Sequence, residues 1–222
     1  IHVSTTGRDS ASGSFVNPYL TIKKAASIAM PGDTVTIHAG TYREWIKPVR
    51  GGTDESKRIT YRAAPGEKVI IKGSERITSW TYEADGVWKV ELPNSFFGEY
   101  NPYALELSGG WLNYGKWHHR GDVYLNGEAF YEKETAQEIK EEKNSWFCHV
   151  NQKVTTIRVN FGKANPNKEL AEINVRESLF MPEISGLKYI TINGLNFMHA
   201  AANWAPPVLE LQTGAVGPRM GK

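Results

Sequence analysis

The sequence predicts an all-β protein in which a parallel β-helix is interrupted by a small antiparallel β domain. Short runs with alternating β-branched and aromatic residues occur towards both ends of the 222-residue chain. Between them, longer alternating runs and a hairpin-type turn indicate antiparallel strands. One short amphipathic helix near the N-terminus is expected to cover the first open end of the β-helix.

The first part of the β-helix is predicted to span residues 1–79. After a short strand, HVST, the segment NPYLTIKKAASIAMPGD predicts a helix with Asn17 as N-cap, Pro18 at its first position and Leu20 on its apolar face. Three strand runs follow: TVTIHA (34–39), ITYRAA (59–64) and KVIIKGS (68–74), with AGTY and APGE as turns. The runs are short and no hairpin-type turn joins them, which favours parallel stacking over a meander, although a sandwich also fits.

An inserted domain is predicted over residues 80–170. GVWKVELP, WFCHV and TTIRVNF alternate as antiparallel strands do. Asn126-Gly127, within GDVYLNGEAFYE, is the strongest hairpin signal in the chain. The charged stretch at 133–145 has few apolar positions and is interpreted as a solvated loop or a short surface helix.

The β-helix is predicted to resume over residues 171–222. EINVRES and GLKYITINGLNF restore the alternating pattern, and Gly194 allows a bend between two strand runs. Each coil of a solenoid contacts only its neighbours, and a terminal coil needs a cap or a further coil. The tail QTGAVGPRMGK offers neither a helix nor a strand pattern. A C-terminal continuation or a companion chain is therefore expected to complete the β-helix.

Composition narrows the possible partners. The 26 basic and 24 acidic residues give a net charge of +2, which argues against nucleic acid or a membrane as partner. IHVSTTGRDS lacks the apolar core of a signal peptide, and the expected location is the cytoplasm. Cys148, the single cysteine, excludes an internal disulfide and is interpreted as a packed side chain. The seven Trp, ten Tyr and eight Phe suit both β cores and platforms for sugar rings.

The segment ELSGGWLNYGKWHHRGD, residues 106–122, is the first candidate binding site. It carries large aromatic residues in a glycine-rich stretch of little periodicity. Either these residues anchor a loop, or Trp111 stacks on a pyranose face while His118 or His119 donates hydrogen bonds to sugar hydroxyls. Neighbouring strand residues point to opposite faces, so His118 and His119 are not expected to share a metal ion. No metal and no cofactor is predicted.

A second candidate site is MHAAANWAPP, residues 198–207, directly after a predicted β-helix strand. Side chains there leave the regular stack and can line a groove, with His199 and Trp204 as the candidates. Alternatively, Trp204 packs under the Pro-Pro turn that follows it. The two interpretations stay open.

No catalytic residue is assigned. Glycoside hydrolysis commonly uses two carboxylates, and the distance between them decides the stereochemical outcome. Arg43 and Glu44 are interpreted as an ion pair at the surface or between coils. No motif selects a catalytic pair from the candidate carboxylates Glu44, Glu99, Glu106 and Glu210.

Six segments of the chain share their pattern with a known family: GDTVTIHAGTYREWIKP, RITYRAAPGEKVIIKGSERI, LPNSFFGEYNPY, GDVYLNGEAFYE, EINVRES and HAAANWAPP. Together they resemble the N-terminal part of the β-xylosidases of glycoside hydrolase family 120. The resemblance covers nearly the whole chain and is weakest at 133–150. LPNSFFGEYNPY and HAAANWAPP, in this order, are its most specific motifs.

The resemblance implies a right-handed parallel β-helix with an inserted β-sandwich, and a homo-oligomer. It also implies retaining hydrolysis that releases xylose from xylo-oligosaccharides. Those enzymes are longer, and their nucleophile Asp and acid/base Glu come from later coils with no counterpart in this chain. Catalytic carboxylates are therefore expected in a C-terminal region or a companion chain, and this chain alone is expected to be inactive. Trp111 corresponds to an aromatic at the family's sugar site, so the chain would supply scaffold and part of the substrate wall.

Two other functions stay open. A polysaccharide lyase on a β-helix would need a Lys or Arg base and usually carboxylates that hold Ca²⁺, and the sequence has no Asp cluster of that type. A non-catalytic carbohydrate-binding or assembly module would bind sugar as an isolated chain. That affinity would be lost when Trp111 is replaced by Ala.

Overall fold

A computed structural model describes residues 1–107 and 117–201, and in these residues the chain is mostly β-structure with few helices. The α-helices are α1 (Ile22–Ile28) and α2 (Glu138–Glu141). The strands, in chain order, are β1 (His2–Val3), β2 (Thr34–Ile37), β3 (Gly40–Tyr42), β4 (Ile59–Ala63), β5 (Val69–Lys72), β6 (Ser74–Arg76), β7 (Thr81–Ala84), β8 (Val87–Pro93), β9 (Val123–Leu125), β10 (Glu128–Ala129), β11 (Tyr131–Glu132), β12 (Ser145–Val150), β13 (Val154–Asn160), β14 (Ala171–Asn174), β15 (Ile190–Asn193) and β16 (Leu195–Met198). None of the described helices is long and apolar enough to cross a membrane.

The described residues divide into two compact units. The first comprises Ile1–Gly73 and Ser178–Ala200. The second comprises Ser74–Glu177 and Ala201. Each has its own core of buried apolar side chains.

The first unit contains two parallel sheets that the chain visits alternately. One sheet has the strand order β1-β2-β4-β15 and the other has the order β16-β5-β3. β2 leads to β3, β4 to β5, and β15 to β16, so each successive pair adds one strand to each sheet. Every strand pair in the two sheets is parallel. The runs at 34–39 and 59–64 pair with each other, and the run at 68–74 pairs with β3 and β16, so the prediction of parallel pairing for these runs is confirmed.

The strand registers align apolar side chains into the first core. Val35 and Ile192 lie on either side of Tyr61 in one sheet, while Tyr42 and Phe197 flank Ile71 in the other. These side chains pack in one cluster, in which Ile192 of β15 and Phe197 of β16 are only partly buried. Burying one such apolar side chain contributes about 1.5–3 kcal/mol.

Helix α1 begins later than the sequence predicts, because the backbone just before it pairs with β1. Tyr19 forms a parallel bridge with Val3, and an extended residue cannot belong to a helix that starts at Pro18. Thr21 is the N-cap instead of Asn17, and its hydroxyl accepts the N–H of the third helical residue at 3.0 Å. Leu20, expected on the apolar face, is exposed, whereas the helix buries Ile22, Ala25 and Ala26.

AGTY was expected to be a turn, but Gly40–Tyr42 forms β3 and pairs in parallel with β5. Gly40 lies where a Cβ atom would come within 2.5 Å of the Thr5 side chain, so the close approach requires glycine. Tyr42 is buried, and its hydroxyl donates to the His38 carbonyl oxygen at 2.9 Å. A run of three residues is too short for its periodicity to distinguish a strand from a turn.

The second unit contains a five-stranded sheet of order β11-β12-β13-β8-β7 and a four-stranded sheet of order β10-β9-β14-β6. Their strand pairs are antiparallel except for β11 with β12, which is parallel. The predicted pairing of WFCHV with TTIRVNF is confirmed, with Cys148 opposite Ile157. Trp146 and Tyr103 are the largest fully buried side chains of this core.

The hairpin predicted at Asn126-Gly127 is confirmed as the connection between β9 and β10. Both turn residues have positive φ, 53° for Asn126 and 93° for Gly127, as a type I′ turn requires. The stretch at 133–145 contains the short helix α2, whose Ile139 is fully buried.

EINVRES was expected to resume the parallel stacking, and this expectation is wrong. Strand β14 instead pairs antiparallel with β6 and with β9 inside the second unit. All four of its residues are buried, and the carboxylate of Glu172 accepts a hydrogen bond from the Ser74 hydroxyl at 3.1 Å. The alternating sequence pattern predicts a strand, but it does not specify which strands pair with it or in which direction.

Candidate functional site

The described residues include three of the five candidate binding residues. His118 and His119 belong to the second unit, and His199 belongs to the first. Trp111 and Trp204 lie outside the described residues. The site is therefore built from the two neighbouring histidines and the residues around them.

Short extended segments at 105–107 and 118–120 close the two ends of the stretch that contains Trp111. Glu106 and His119 form an antiparallel bridge. Backbone hydrogen bonds of 2.6 and 2.9 Å flank the bridge on either side. This pairing fixes the backbone on which His118 and His119 are carried, and we refer to it as the loop base.

Glu132, in β11, holds the histidines of the loop base. One carboxylate oxygen lies 2.5 Å from His119 Nδ1, and the other accepts the backbone N–H of His119 at 2.8 Å. His118 Nδ1 lies 3.7 Å from the second oxygen. The Glu132 side chain is only 8% exposed, so the carboxylate depends on these donors for its stabilisation.

Cys148, in β12, completes a cluster with His119 and Glu132. Register pairs Glu132 with Trp146, so Glu132 and Cys148 lie on the same face of the sheet. The Cys148 sulfur lies 3.5 Å from His119 Nδ1 and 3.7 Å from the Tyr103 carbonyl oxygen. Burial raises the pKa of the Cys148 thiol, and the nearby Glu132 carboxylate adds to this effect. Cys148 is buried, as predicted.

An aromatic contact extends the cluster to the surface. The rings of Trp117 and His118 lie 3.6 Å apart between centroids, at an interplanar angle of 33°. The His118 side chain is 31% exposed and the His119 side chain 21%. Imidazole N–H groups beside an indole ring are suited to a sugar, because they offer hydrogen bonds to hydroxyls next to an apolar face.

Asp122 adds a perturbed carboxyl group close to the loop base. Burial raises the pKa of Asp122 to about 6, a hydrogen bond from Tyr124 opposes the shift, and the charge of Glu132 adds to it. The Tyr124 hydroxyl donates to Asp122 Oδ2 at 3.2 Å. The backbone carbonyl of Asp122 accepts the hydroxyl of Tyr103 at 2.6 Å. A raised carboxyl pKa at a cluster of this kind is typical of functional sites as well as of buried networks.

His199 follows β16 directly, in the first unit. Its φ of 61° is unusual for a residue with a side chain and marks the point where the chain leaves the sheet. The backbone of Gly73 approaches closely, since a Cβ atom there would come within 2.4 Å of the His199 carbonyl oxygen. His199 therefore lies at a constrained bend after a strand, as the sequence indicates.

Glu132, Cys148 and Asp122 were not among the predicted site residues. Glu132 and Cys148 reach the loop base through the parallel pairing of β11 with β12, and no local sequence signal reports that pairing. Glu44, a candidate carboxylate, accepts hydrogen bonds from the first two N–H groups of α1.

The cluster of His119, Glu132 and Cys148 can bind a polar ligand or a cation through its imidazole, carboxylate and thiol groups.

Comparison with known proteins identifies the class. Residues 77–145 match the family described as "Glycoside hydrolase 120, insertion domain". This family is one of glycoside hydrolases that carry an inserted domain. The resemblance of the sequence to glycoside hydrolase family 120 is thus confirmed.

Three similar proteins are each longer than this chain. A solved structure of XylC in complex with xylose is 46% identical, with a TM-score of 0.92, over 98% of this chain and 38% of that chain. A structure titled "Glycoside hydrolase" is 14% identical, with a TM-score of 0.52 over 90% of this chain and 50% of that chain, which shows a shared fold alone. The uncharacterized protein YwoF of Bacillus subtilis (strain 168) is 37% identical over 83 residues. Those residues are 37% of this chain and 17% of YwoF.

Proposed function

We propose that this chain is the N-terminal part of a retaining β-xylosidase that releases xylose from xylo-oligosaccharides. The observation that carries the proposal is the likeness to XylC, whose structure contains xylose, over 98% of this chain. Identity of 46% over that span makes a shared sugar class the best-supported assignment. The match of residues 77–145 to the family 120 insertion domain supports a glycoside hydrolase.

The proposal includes a finer description of the fold. The two alternating parallel sheets of the first unit support a parallel β-helix, and the family resemblance supports a right-handed one. The two sheets of the second unit, with a single buried core, support a β-sandwich. Further coils would follow β15 and β16, whose apolar residues Ile192 and Phe197 are only partly buried among the described residues.

In this proposal the chain provides scaffold and part of the substrate wall. Trp111 would stack on a xylose ring, while His118 or His119 would bind hydroxyl groups from the loop base. Glu132 would orient both imidazole rings, as its contacts of 2.5 and 3.7 Å support. His199 and Trp204 remain further substrate-binding candidates that the sequence predicts.

The catalytic carboxylates would lie outside these 222 residues. The chain spans 38% of the XylC chain it matches, which leaves most of that protein without a counterpart here. A C-terminal continuation or a companion chain would supply the nucleophile and the acid/base, in a cytoplasmic homo-oligomer. The 222-residue chain alone would then be inactive.

The decisive experiment measures xylose release by the polypeptide that joins these residues to their C-terminal continuation. Xylobiose and an aryl xyloside serve as substrates, and NMR of the first product follows the anomer. The expected product is β-xylose, since retention preserves the anomeric configuration. An unsaturated product would indicate a lyase instead, and sugar binding without turnover would indicate a binding module.

The role of Trp111 has a separate test in the same polypeptide. Trp111→Ala is expected to raise KM for xylobiose by roughly tenfold, because the apolar face of the sugar loses the indole surface that covers it, and about 1.4 kcal/mol corresponds to a factor of ten. Tyr82→Ala is the matched control, since Tyr82 is an exposed aromatic in β7, at the edge of the five-stranded sheet opposite β11. An unchanged KM for Trp111→Ala would exclude Trp111 from the substrate wall.

A further inference from the structure

We propose that His119, Glu132 and Cys148 form a binding site for one divalent transition-metal ion of the Zn²⁺ type. Each residue offers one ligand atom, and the three atoms lie within 4.8 Å of one another. Among the described residues, no other group of three or more such side chains meets this criterion. The inference concerns the second unit alone and does not depend on the proposed glycosidase activity.

The ligand types select the metal. Thiolate, imidazole and carboxylate groups are the usual protein ligands of Zn²⁺. Mg²⁺ and Ca²⁺ are hard cations that prefer oxygen ligands, so the soft thiolate of Cys148 disfavours them. Three protein ligands leave the fourth position of a tetrahedral site to a water molecule. The ligands come from the loop base, β11 and β12, so the metal would link three separate segments of the chain.

One of the distances between ligand atoms equals that expected for a tetrahedral site. With Zn–S of about 2.3 Å and Zn–N of about 2.0–2.1 Å, two ligands of a tetrahedron lie about 3.5 Å apart. The observed distance from Cys148 Sγ to His119 Nδ1 is 3.5 Å. The distance of 2.5 Å from His119 Nδ1 to Glu132 Oε1 is a hydrogen bond, which the metal would replace by moving the two atoms apart by roughly 1 Å.

The surroundings of the ligands suit an ion. Cys148 is buried and Glu132 nearly so, while the more exposed His119 leaves an entry path from solvent. The backbone N–H of His119 donates to the second carboxylate oxygen of Glu132 at 2.8 Å and fixes the orientation of that group. Such outer hydrogen bonds orient ligands and strengthen metal binding.

Binding of one metal ion releases one proton from the three ligands. A neutral imidazole at His119 would donate from Nδ1 to the Glu132 oxygen that lies 2.5 Å away, and the thiol of Cys148 faces the Tyr103 carbonyl oxygen. On binding, the imidazole proton moves to Nε2 and the thiol proton leaves to solvent. Each metal ion therefore releases one proton, and the total charge of the three ligands and the ion is zero.

The metal would stabilise the loop base. His119 is paired with Glu106 there, so ligation would tie this backbone bridge to β11 and β12. The ends of the stretch that carries Trp111 would then be held against the five-stranded sheet. The proposed metal site is therefore structural: the ion would hold these segments together and would take no part in a reaction.

The test uses Co²⁺ as a spectroscopic probe of the full chain after removal of metals with a chelator. We expect one equivalent of Co²⁺ to produce a thiolate-to-cobalt charge-transfer band and the visible bands of tetrahedral cobalt. Zn²⁺ should displace the cobalt and raise the melting temperature. Absence of the charge-transfer band at stoichiometric and excess Co²⁺ would overturn the proposal.

Variants locate the bound ion. Cys148→Ser should abolish the charge-transfer band, and Glu132→Gln should weaken Co²⁺ binding by more than about 100-fold, because loss of an outer-shell partner alone costs about 10–100-fold. His149→Ala is the matched control, since His149 is the exposed neighbour of Cys148 in β12 and points to the opposite face. If Cys148→Ser does not fold, His119→Gln decides the question, because His119 is partly exposed. An unchanged affinity for Co²⁺ in a folded Glu132→Gln or His119→Gln variant would overturn the site.

Discussion

The carboxylate of Glu44 accepts the backbone N–H of Ile22, the first residue of helix α1, at 2.9 Å. Its second oxygen accepts the next N–H at 2.6 Å. The first turn of α1 contains no acidic residue, so a side chain from the segment after β3 supplies the negative charge that a helix N-terminus favours. Glu44 thus connects the helix to the sheet that contains β3.

We expect Glu44→Ala to lower the free energy of unfolding by about 1–2 kcal/mol, the usual cost of removing an N-terminal cap. Urea denaturation followed by circular dichroism measures the change. Glu55→Ala is the control, because Glu55 forms an exposed ion pair with Arg58, and such pairs contribute about 0–1 kcal/mol. Equal effects of the two substitutions would contradict the capping role.

Two buried tyrosines should respond in opposite ways to loss of the hydroxyl group. The hydroxyl of Tyr61 is buried without a hydrogen-bond partner among the described residues. The hydroxyl of Tyr103 donates to the Asp122 carbonyl oxygen at 2.6 Å. An unsatisfied buried hydroxyl costs free energy, whereas a satisfied one stabilises the fold.

We therefore expect Tyr61→Phe to leave the free energy of unfolding unchanged or to raise it by about 1 kcal/mol, and Tyr103→Phe to lower it by about 1–3 kcal/mol. The edge-to-face contact of Tyr61 with Phe180, at 5.0 Å between centroids, is retained by Phe. Each variant is compared with the wild-type chain in the same denaturant series. A loss for Tyr61→Phe as large as that for Tyr103→Phe would mean that a bound water satisfies the Tyr61 hydroxyl.

Local signals in the sequence predicted many elements of the fold. Alternating apolar residues indicated β2, β4, β5, β15 and β16, because the pattern reports which side chains face a core. They did not identify strand partners, so EINVRES was assigned to the wrong kind of sheet. The start of α1 was misplaced because Tyr19 pairs with Val3, a contact between segments that no N-cap pattern contains.

The candidate site was predicted only in part for the same reason. His118 and His119 stand out locally, since they follow an aromatic segment rich in glycine. Glu132 and Cys148 meet His119 through the pairing of β11 with β12, which depends on the whole sheet. A single Glu after a hairpin and a single Cys in a strand look like ordinary side chains until that pairing is known.

The turn between β9 and β10 depends on the backbone conformation of Gly127. A Cβ atom at this position meets nothing within 4 Å, so only the positive φ of 93° opposes a side chain. Gly127→Ala is expected to lower the free energy of unfolding by about 1–2 kcal/mol, the cost of a left-handed residue. Gly127→Asn is the matched variant with a smaller loss, because Asn tolerates positive φ. Equal losses in denaturant titrations of the two variants would contradict this explanation.

Asp122 gives the second unit a defined dependence of stability on pH. Burial raises the pKa of Asp122 from its ordinary value of 3.8 to about 6 in the folded chain. The folded state therefore keeps a proton that the unfolded state has lost between these two values. The stability linked to this group is fully present below pH 3.8, decreases as the pH rises to about 6, and is constant above that.

Asp122→Asn removes this dependence while keeping an oxygen that can accept the Tyr124 hydroxyl. Relative to the wild-type chain, the variant should gain about 1–3 kcal/mol of stability between pH 4 and pH 7, since one pKa unit corresponds to about 1.4 kcal/mol and Asp122 is partly exposed. Urea denaturation at both pH values, with a chelator present so that no metal ion neutralises Glu132, measures the gain. Glu128→Gln, at an exposed position in β10, is the control and should show no such change. A difference between Asp122→Asn and wild type that is the same at both pH values would show that Asp122 does not titrate in this window.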